Sequence, residues 1–236
     1  MSYNKQILVN DITLNYYEAG EGEIVLLLHG NSQDSLIFKQ IFHQLSKSFH
    51  VFAIDSRGHG LSETGNIPYT IQQYAEDILV FCRLKKMKHI RVIGYSDGAN
   101  VALYLNHIAP WLIVKSVCIS GNYEVQGIKK WFRFCLFLLS TLIRIPACFN
   151  EKMKYQQWKL NLMRKDIGLE SSDFYNMSQP ILLISADNDL IYEAHPLKLH
   201  NCLVNSKAVI IGDSNHFNIL RKKQVHSLLE SFLEEI

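Results

Sequence analysis

Short apolar runs alternate along this chain with longer stretches in which apolar residues recur every three or four positions. Ile24 to Leu28 is a continuous run closed by His29-Gly30, Val51 to Ile54 runs into Asp55, and Ile90 to Ile93 runs into Gly94. Ser116 to Ile119, Ile181 to Ile184 and Ala208 to Ile211 repeat the form. Runs without alternation predict strands buried on both faces. Lys5 to Ala19 differs: Ile12, Leu14 and Tyr16 stand at period two, which predicts a hairpin at an antiparallel edge. Between the runs, helices are predicted over Ile71 to Met87, Ala99 to His107 and Leu220 to Glu235, the first opened by a capping box of Thr70 and Gln73. Strand–helix alternation of this kind predicts an α/β protein, a mostly parallel twisted sheet of about eight strands with helices on both faces.

The rhythm breaks between residues 122 and 179, where helical patterns follow one another without a strand pair. A helical cap insertion is expected there, between a first core part at 1–121 and a second at 180–236. Within it, Trp131, Phe132, Phe134, Leu136, Phe137, Leu138, Leu139, Leu142 and Ile143 predict a helix buried against the sheet. The functional alternative is an apolar wall for a substrate, with Lys129, Lys130 and Arg133 near its mouth. Weak membrane association through the same stretch is a further option. Its longest uncharged run, Phe134 to Ile143, is too short to span a bilayer, so no stable membrane insertion is expected.

Composition narrows the classes. With 236 residues, 48% of them hydrophobic, the chain can bury a continuous core and is not a disordered polymer. A net charge of +2 gives no electrostatic reason to expect nucleic acid as a partner. Five scattered cysteines without a C-x-x-C pair point to free, mostly buried thiols rather than disulfides or a cysteine zinc site. Met1 to Asn15 has no apolar core of a secretory signal, and a cytoplasmic protein is the expectation.

The sharpest chemical signal is Gly94-Tyr95-Ser96-Asp97-Gly98, a G-x-S-x-G between a predicted buried strand and a predicted helix. That setting suits a tight turn that projects the Ser96 hydroxyl from the sheet beside a helix N-terminus. A serine needs a base, and the base an orienting acid. Among ten histidines, His216 lies just after the last apolar run and before the terminal helix, where sheets of this type place active sites. His29 and His59 are read as loop-shaping and His195 as a satisfied structural histidine. For the acid, Asp189 and Asp187 compete after the Ile181 to Ile184 run, Asp189 being favoured by the apolar residues that follow it. The chain order Ser96, Asp189, His216 then differs from those of chymotrypsin and subtilisin. Asn31, after His29-Gly30, and Asp97 are placed to offer backbone N–H groups to an oxyanion.

Together LLLHGN (26–31), FAIDSRGHGLSE (52–63), GYSDGAN (94–100), SADNDLI (185–191) and GDSNHF (212–217) resemble the α/β-hydrolase superfamily over nearly the whole chain. The resemblance implies Ser96, Asp189 and His216 as catalytic residues and the Asn31 and Asp97 amides as an oxyanion hole. It also implies that Asp55, Arg57, Gly58 and Gly60 shape a loop. No metal and no organic cofactor are implied, and the partner expected is a small-molecule substrate. The primary expectation is a serine hydrolase of carboxylic esters or thioesters with small to medium apolar groups, acting through an acyl-enzyme on Ser96. A carbon–carbon bond hydrolase, an amidase, an acyltransferase and a non-catalytic ligand-binding member are the alternatives. Two features depart from the pattern. Asp97 stands where relatives often have an apolar residue, and Tyr123, Tyr155 and Tyr175 show no spacing that would mark a pair activating an epoxide.

Overall fold

The computed structural model describes residues 4–235, so the outermost positions of the expected core segments, 1–3 and 236, lie outside it. Eight strands form one sheet: β1 (Asn4–Val9), β2 (Ile12–Ala19), β3 (Ile24–Leu28), β4 (His50–Ile54), β5 (Ile90–Tyr95), β6 (Ile113–Ile119), β7 (Ile181–Asn188) and β8 (Ser206–Asn215). Their spatial order is β1-β2-β4-β3-β5-β6-β7-β8. The β1/β2 and β2/β4 pairs are antiparallel, and every pair from β4/β3 to β7/β8 is parallel. Side chains alternate across each central strand, so an apolar run serves two cores at once. Leu26 and Leu28 of β3 join Phe52, Ile54 and Val92 in one cluster with α2 (Ile71–Leu84) and α3 (Asp97–Ile108). Val25 and Leu27 join Val51, Ala53 and Ile93 in the other, with α1 (Lys39–Leu45) and α8 (Lys223–Glu234). Each such side chain, fully buried, contributes about 1.5–3 kcal/mol of transfer free energy.

The strand order also fixes where a site can form. From β3 the chain passes through α1 on one face to β4; from β5 it passes through α3 on the other face to β6. The connections leaving the adjacent strands β3 and β5 therefore diverge, which opens a crevice at their C-terminal ends.

Local details differ from the pattern-based expectations. Helix α2 stops at Leu84, short of Met87, because Lys86 takes the left-handed conformation (φ 54°). Only half of the capping box forms: Thr70 Oγ accepts from the Gln73 N–H at 3.1 Å, while Gln73 Oε1 is buried without a partner. The terminal helix begins at Lys223, after a single 3-10 turn at Ile219–Arg221. The thiols are free, but only Cys82 and Cys118 are buried, and burial pushes both up to about 12. Cys135 and Cys148 are exposed, contrary to the expectation of mostly buried cysteines.

Between β6 and β7 lie α4 (Lys130–Ile143), α5 (Glu151–Leu162) and the short α6 (Ser171–Tyr175). The expected burial of the apolar helix against the sheet is not what the structure has. Leu136 and Ser140 are the buried residues of α4, whereas Trp131, Phe134, Phe137, Leu138, Leu139 and Leu142 face water. Apolar residues surround this helix, and apolarity alone does not say which side meets the protein.

Candidate active site

The turn after β5 puts Ser96 in a strained conformation, φ 53° and ψ −120°, on the threshold of α3. Such a turn needs its two glycines. A Cβ on Gly94 would lie 2.1 Å from the Gly98 carbonyl oxygen, and one on Gly98 would lie 2.0 Å from that of Leu28. Gly30 is constrained by Ser96 itself, since a Cβ there would stand 2.9 Å from Ser96 Cβ. The β3 turn and the β5 turn are thereby pressed together at the crevice.

On the other side, β7 and β8 deliver the remaining partners. Register pairs Asn188 with Asn215, so the next residue of each strand end, Asp189 and His216, are neighbours. The register shift between Ala186 and Asn188 is a bulge that turns Asp187 out of the site. The exposed Asp187 carboxylate instead accepts the Asp213 and Ser214 N–H groups, each at 2.8 Å, and the Ser214 and Asp213 contacts hold it below the usual carboxylate range. His216 Nδ1 lies 2.6 Å from Asp189 Oδ1, and its Nε2 lies 3.2 Å from Ser96 Oγ. With Nδ1–H donating to Asp189, Nε2 is left as an acceptor toward the serine hydroxyl. Burial alone would raise the Asp189 carboxyl, but hydrogen bonds from His216 and Ser120 and the Ala186 N–H outweigh it and lower it.

Two partners of this array are given no role by the motifs. The Ser120 hydroxyl, just past β6, donates to Asp189 Oδ2 at 2.5 Å. The buried Tyr95 hydroxyl donates to the His216 carbonyl, and its ring packs on the imidazole with centroids 5.2 Å apart. The one available signal for Ser120 is its position at the C-terminal end of a buried strand. Tyr95 sits inside the G-x-S-x-G, at a position that the motif leaves open.

The Asn31 and Asp97 N–H groups have no protein acceptor among the described residues, and both residues line a cavity of about 300 Å³ beside Ser96. Their side chains are joined: Asn31 Nδ2 donates to Asp97 Oδ2 at 2.9 Å and to the Lys159 carbonyl of α5 at 3.0 Å. Burial raises the Asp97 carboxyl despite the Asn31 contact. Ile128, Phe132, Met163, Leu190, Ile191 and Phe217 give the cavity an apolar side. Of the apolar α4 residues only Phe132 reaches it, and Lys129, Lys130 and Arg133 do not line it.

The rival histidines lie elsewhere. His29 is buried, with Nδ1 2.7 Å from the Gly30 carbonyl and Nε2 accepting the Ser56 N–H at 2.9 Å. His59 has Nδ1 3.0 Å from the Arg57 carbonyl, and burial lowers it to about 2. His195 stacks on Tyr123 at 4.2 Å, but its Nε2 is buried without a partner, so it is not the satisfied structural histidine expected. Asp55 accepts from Asn15 Nδ2, the Ser35 N–H and the Leu61 N–H, while Arg57 is clamped between Asp77 and Asp11. These groups pin the loop after β4 and do not touch Ser96. No three or more His, Cys, Asp or Glu side chains converge as metal ligands among the described residues.

The profile of the alpha/beta hydrolase fold family matches residues 23–147, more than half of the chain. Among curated proteins, the chain is similar to the 2-(acetamidomethylene)succinate hydrolase of Mesorhizobium japonicum, with 35% identity over 123 residues. That match covers 52% of this chain and 44% of the relative, so the chain spans less than half of that relative's length. Among solved structures, the meta-cleavage product hydrolase of Pseudomonas fluorescens IP01 superposes with a TM-score of 0.81 at 16% identity, covering 97% of both chains. The enol-lactonase of Burkholderia xenovorans LB400 superposes with a TM-score of 0.80 at 22% identity, covering 98% of this chain and 100% of the other. At these identities the two structures speak for the fold.

Proposed function

The chain belongs to the alpha/beta hydrolase fold family, and on that premise we propose that it is a serine hydrolase opening a bond next to a carbonyl in a small, largely apolar substrate. The Ser96–His216–Asp189 array, with its 3.2 Å and 2.6 Å contacts, carries the reading. Ser96 Oγ attacks the carbonyl carbon while His216 Nε2 takes the hydroxyl proton. Asp189 keeps the other proton on Nδ1 and offsets the imidazolium charge. The Asn31 and Asp97 N–H groups receive the oxyanion. As the tetrahedral species collapses, the bond to the leaving group breaks and His216 returns the proton to it. A water then loses a proton to the same nitrogen, attacks the acyl-enzyme and releases the acid, and Ser96 recovers its hydrogen.

The cavity of about 300 Å³ suits a compact substrate whose apolar part lies against Ile128, Phe132 and Met163. For the bond itself, the relatives favour the wider chemistry over the plain carboxylic ester. The curated relative is named for 2-(acetamidomethylene)succinate, and one structural neighbour for a meta-cleavage product. An amide or a carbon–carbon bond is therefore the leading reading, the latter requiring a leaving carbanion stabilised by a second carbonyl. A cyclic ester is the second reading, favoured by the enol-lactonase neighbour.

The test is covalent labelling by a fluorophosphonate probe, followed by a turnover panel of p-nitrophenyl esters, enol-lactones, N-acyl enamines and vinylogous diketones. Labelling should map to Ser96 and vanish in a folded Ser96→Ala variant. The enamines or diketones should show the highest kcat/KM. A folded wild-type protein that takes no label would be a ligand-binding member of the family. Fastest turnover of simple p-nitrophenyl esters would restore the carboxylic ester as the natural bond.

A further inference from the structure

Helix α4 is built inside out. Trp131, Phe134, Leu138, Leu142 and Ile145 recur at helical spacing and form one outward stripe, continued by Phe149, which is 88% exposed. Inward, Phe132 lines the cavity and Leu136 is buried, but the hydrogen-bonded contacts that Ser140 makes toward α5 are polar. The buried Ser140 hydroxyl accepts from Gln157 Nε2 at 3.0 Å and from Arg164 Nη1 at 2.6 Å, and donates to Asn161 Oδ1 at 3.2 Å. Water as the outer solvent would select the reverse arrangement, with the Ser140 cluster outside and the aromatic stripe in the seam. Nine of the twenty large apolar side chains exposed among the described residues fall between 131 and 153, a clustering that surface noise does not produce.

Charge identifies what covers this face. Residues 129–165 carry nine Lys or Arg against one acidic residue, Glu151, while the rest of the chain carries 15 basic against 21 acidic residues. A second copy would bring two such cationic segments together, which like-charge repulsion opposes. An apolar, aromatic stripe beside a cationic segment matches instead the boundary between the acyl chains and the anionic headgroups of a lipid surface. No helix among the described residues is long and apolar enough to cross a membrane, so the face would lie in the interface plane. We propose that the outer face of α4 and the turn following it dock the protein on an anionic phospholipid surface. The proposal is independent of the bond that Ser96 attacks.

Co-sedimentation of the full chain with vesicles tests it, using phosphatidylcholine alone and phosphatidylcholine mixed with phosphatidylglycerol. Wild type should sediment with the mixed vesicles and remain in solution with the neutral ones. Each Lys or Arg at such a surface is worth about fivefold in partitioning, so Lys130→Gln/Lys152→Gln should weaken binding roughly 25-fold. Lys47→Gln/Lys223→Gln, exposed positions away from α4, should have no comparable effect. Phe134→Ser/Leu142→Ser should lose more than about tenfold while melting like wild type, because both side chains are exposed. Absence of binding to anionic vesicles, equal binding to neutral ones, or undiminished binding by both α4 variants would overturn the proposal. So would a concentration-dependent dimer in light scattering that Phe134→Ser/Leu142→Ser dissociates, which would assign the face to a second copy.

Discussion

In β3, Val25 and Leu27 pack toward α1 and α8 while Leu26 and Leu28 pack toward α2 and α3, so these four side chains are out of water. In α4 a run of the same residue types leaves most of its apolar surface in water and turns Ser140 inward. The two regions also divide the chemistry. Ser96, Asp189 and His216 stand on strand ends whose register and glycine contacts fix them, whereas α4 and α5 supply a wall and a carbonyl for Asn31. Apolar runs announce a core only where both faces have partners, and precise geometry here comes from the sheet.

The largest effect should separate the strand ends from the outer helix. Asp189→Asn should lower kcat/KM by about 10⁴-fold, because the wrong imidazole tautomer would face Ser96. Asp187→Asn, at the outward bulge, should change it by less than about tenfold, and Phe134→Ser should leave it unchanged with soluble substrates. Reversed rates for the two aspartates would move the acid to Asp187.

Leu27→Ala removes a fully buried side chain from the middle of the sheet and should cost about 2–5 kcal/mol in urea unfolding. Leu142→Ala, 71% exposed, should stay within about 0.5 kcal/mol of wild type. Equal costs would mean that α4 has a partner in solution.

Much of the sheet is legible in the sequence for the same reason that α4 is not. A strand buried on both faces is apolar along its length, so Ile24 to Leu28 and Val51 to Ile54 declare themselves. That Ser96 and His216 would meet is legible through their neighbours, because Gly94 and Gly98 fix a tight turn after one strand and His216 follows the last. Ser120 and Tyr95 escape because their contacts with Asp189 and His216 span 69 and 121 residues and depend on strand order. The orphaned Nε2 of His195 escapes too, since no local pattern distinguishes a satisfied buried imidazole from an unsatisfied one.

His195 lies at the seam between the regions, where a Cβ on Gly127 would meet its ring at 2.5 Å. Burial, against Glu124 and with Lys198, lowers it from 6.5 to about 4. The unfolded chain therefore binds this proton first, so stability is intact above about 6.5 and falls as pH drops toward 4. The loss should approach about 3 kcal/mol. His195→Phe, which keeps the stack on Tyr123, should flatten the stability–pH curve across that window in urea titrations at several pH values. An unchanged slope would mean that the imidazole is solvated in the folded protein.

The smallest effect is expected at Asp97. Burial raises its carboxyl, so the ionised form is disfavoured in the folded state relative to the unfolded one. The cost is absent where both states are protonated, and it is fully present once pH exceeds the folded-state value. Asp97→Asn should accordingly raise the melting temperature slightly at neutral pH and lose that advantage in acid. The gain is limited because an amide keeps an acceptor for Asn31 Nδ2 but places a donor near Asn100 Nδ2, which now points at Asp97 Oδ1 from 3.4 Å. Turnover should fall less than about tenfold, since the proposed role of Asp97 belongs to its backbone N–H. A variant destabilised at neutral pH, or one that loses turnover while folded, would give the Asp97 carboxylate itself a part in holding Asn31 over the site.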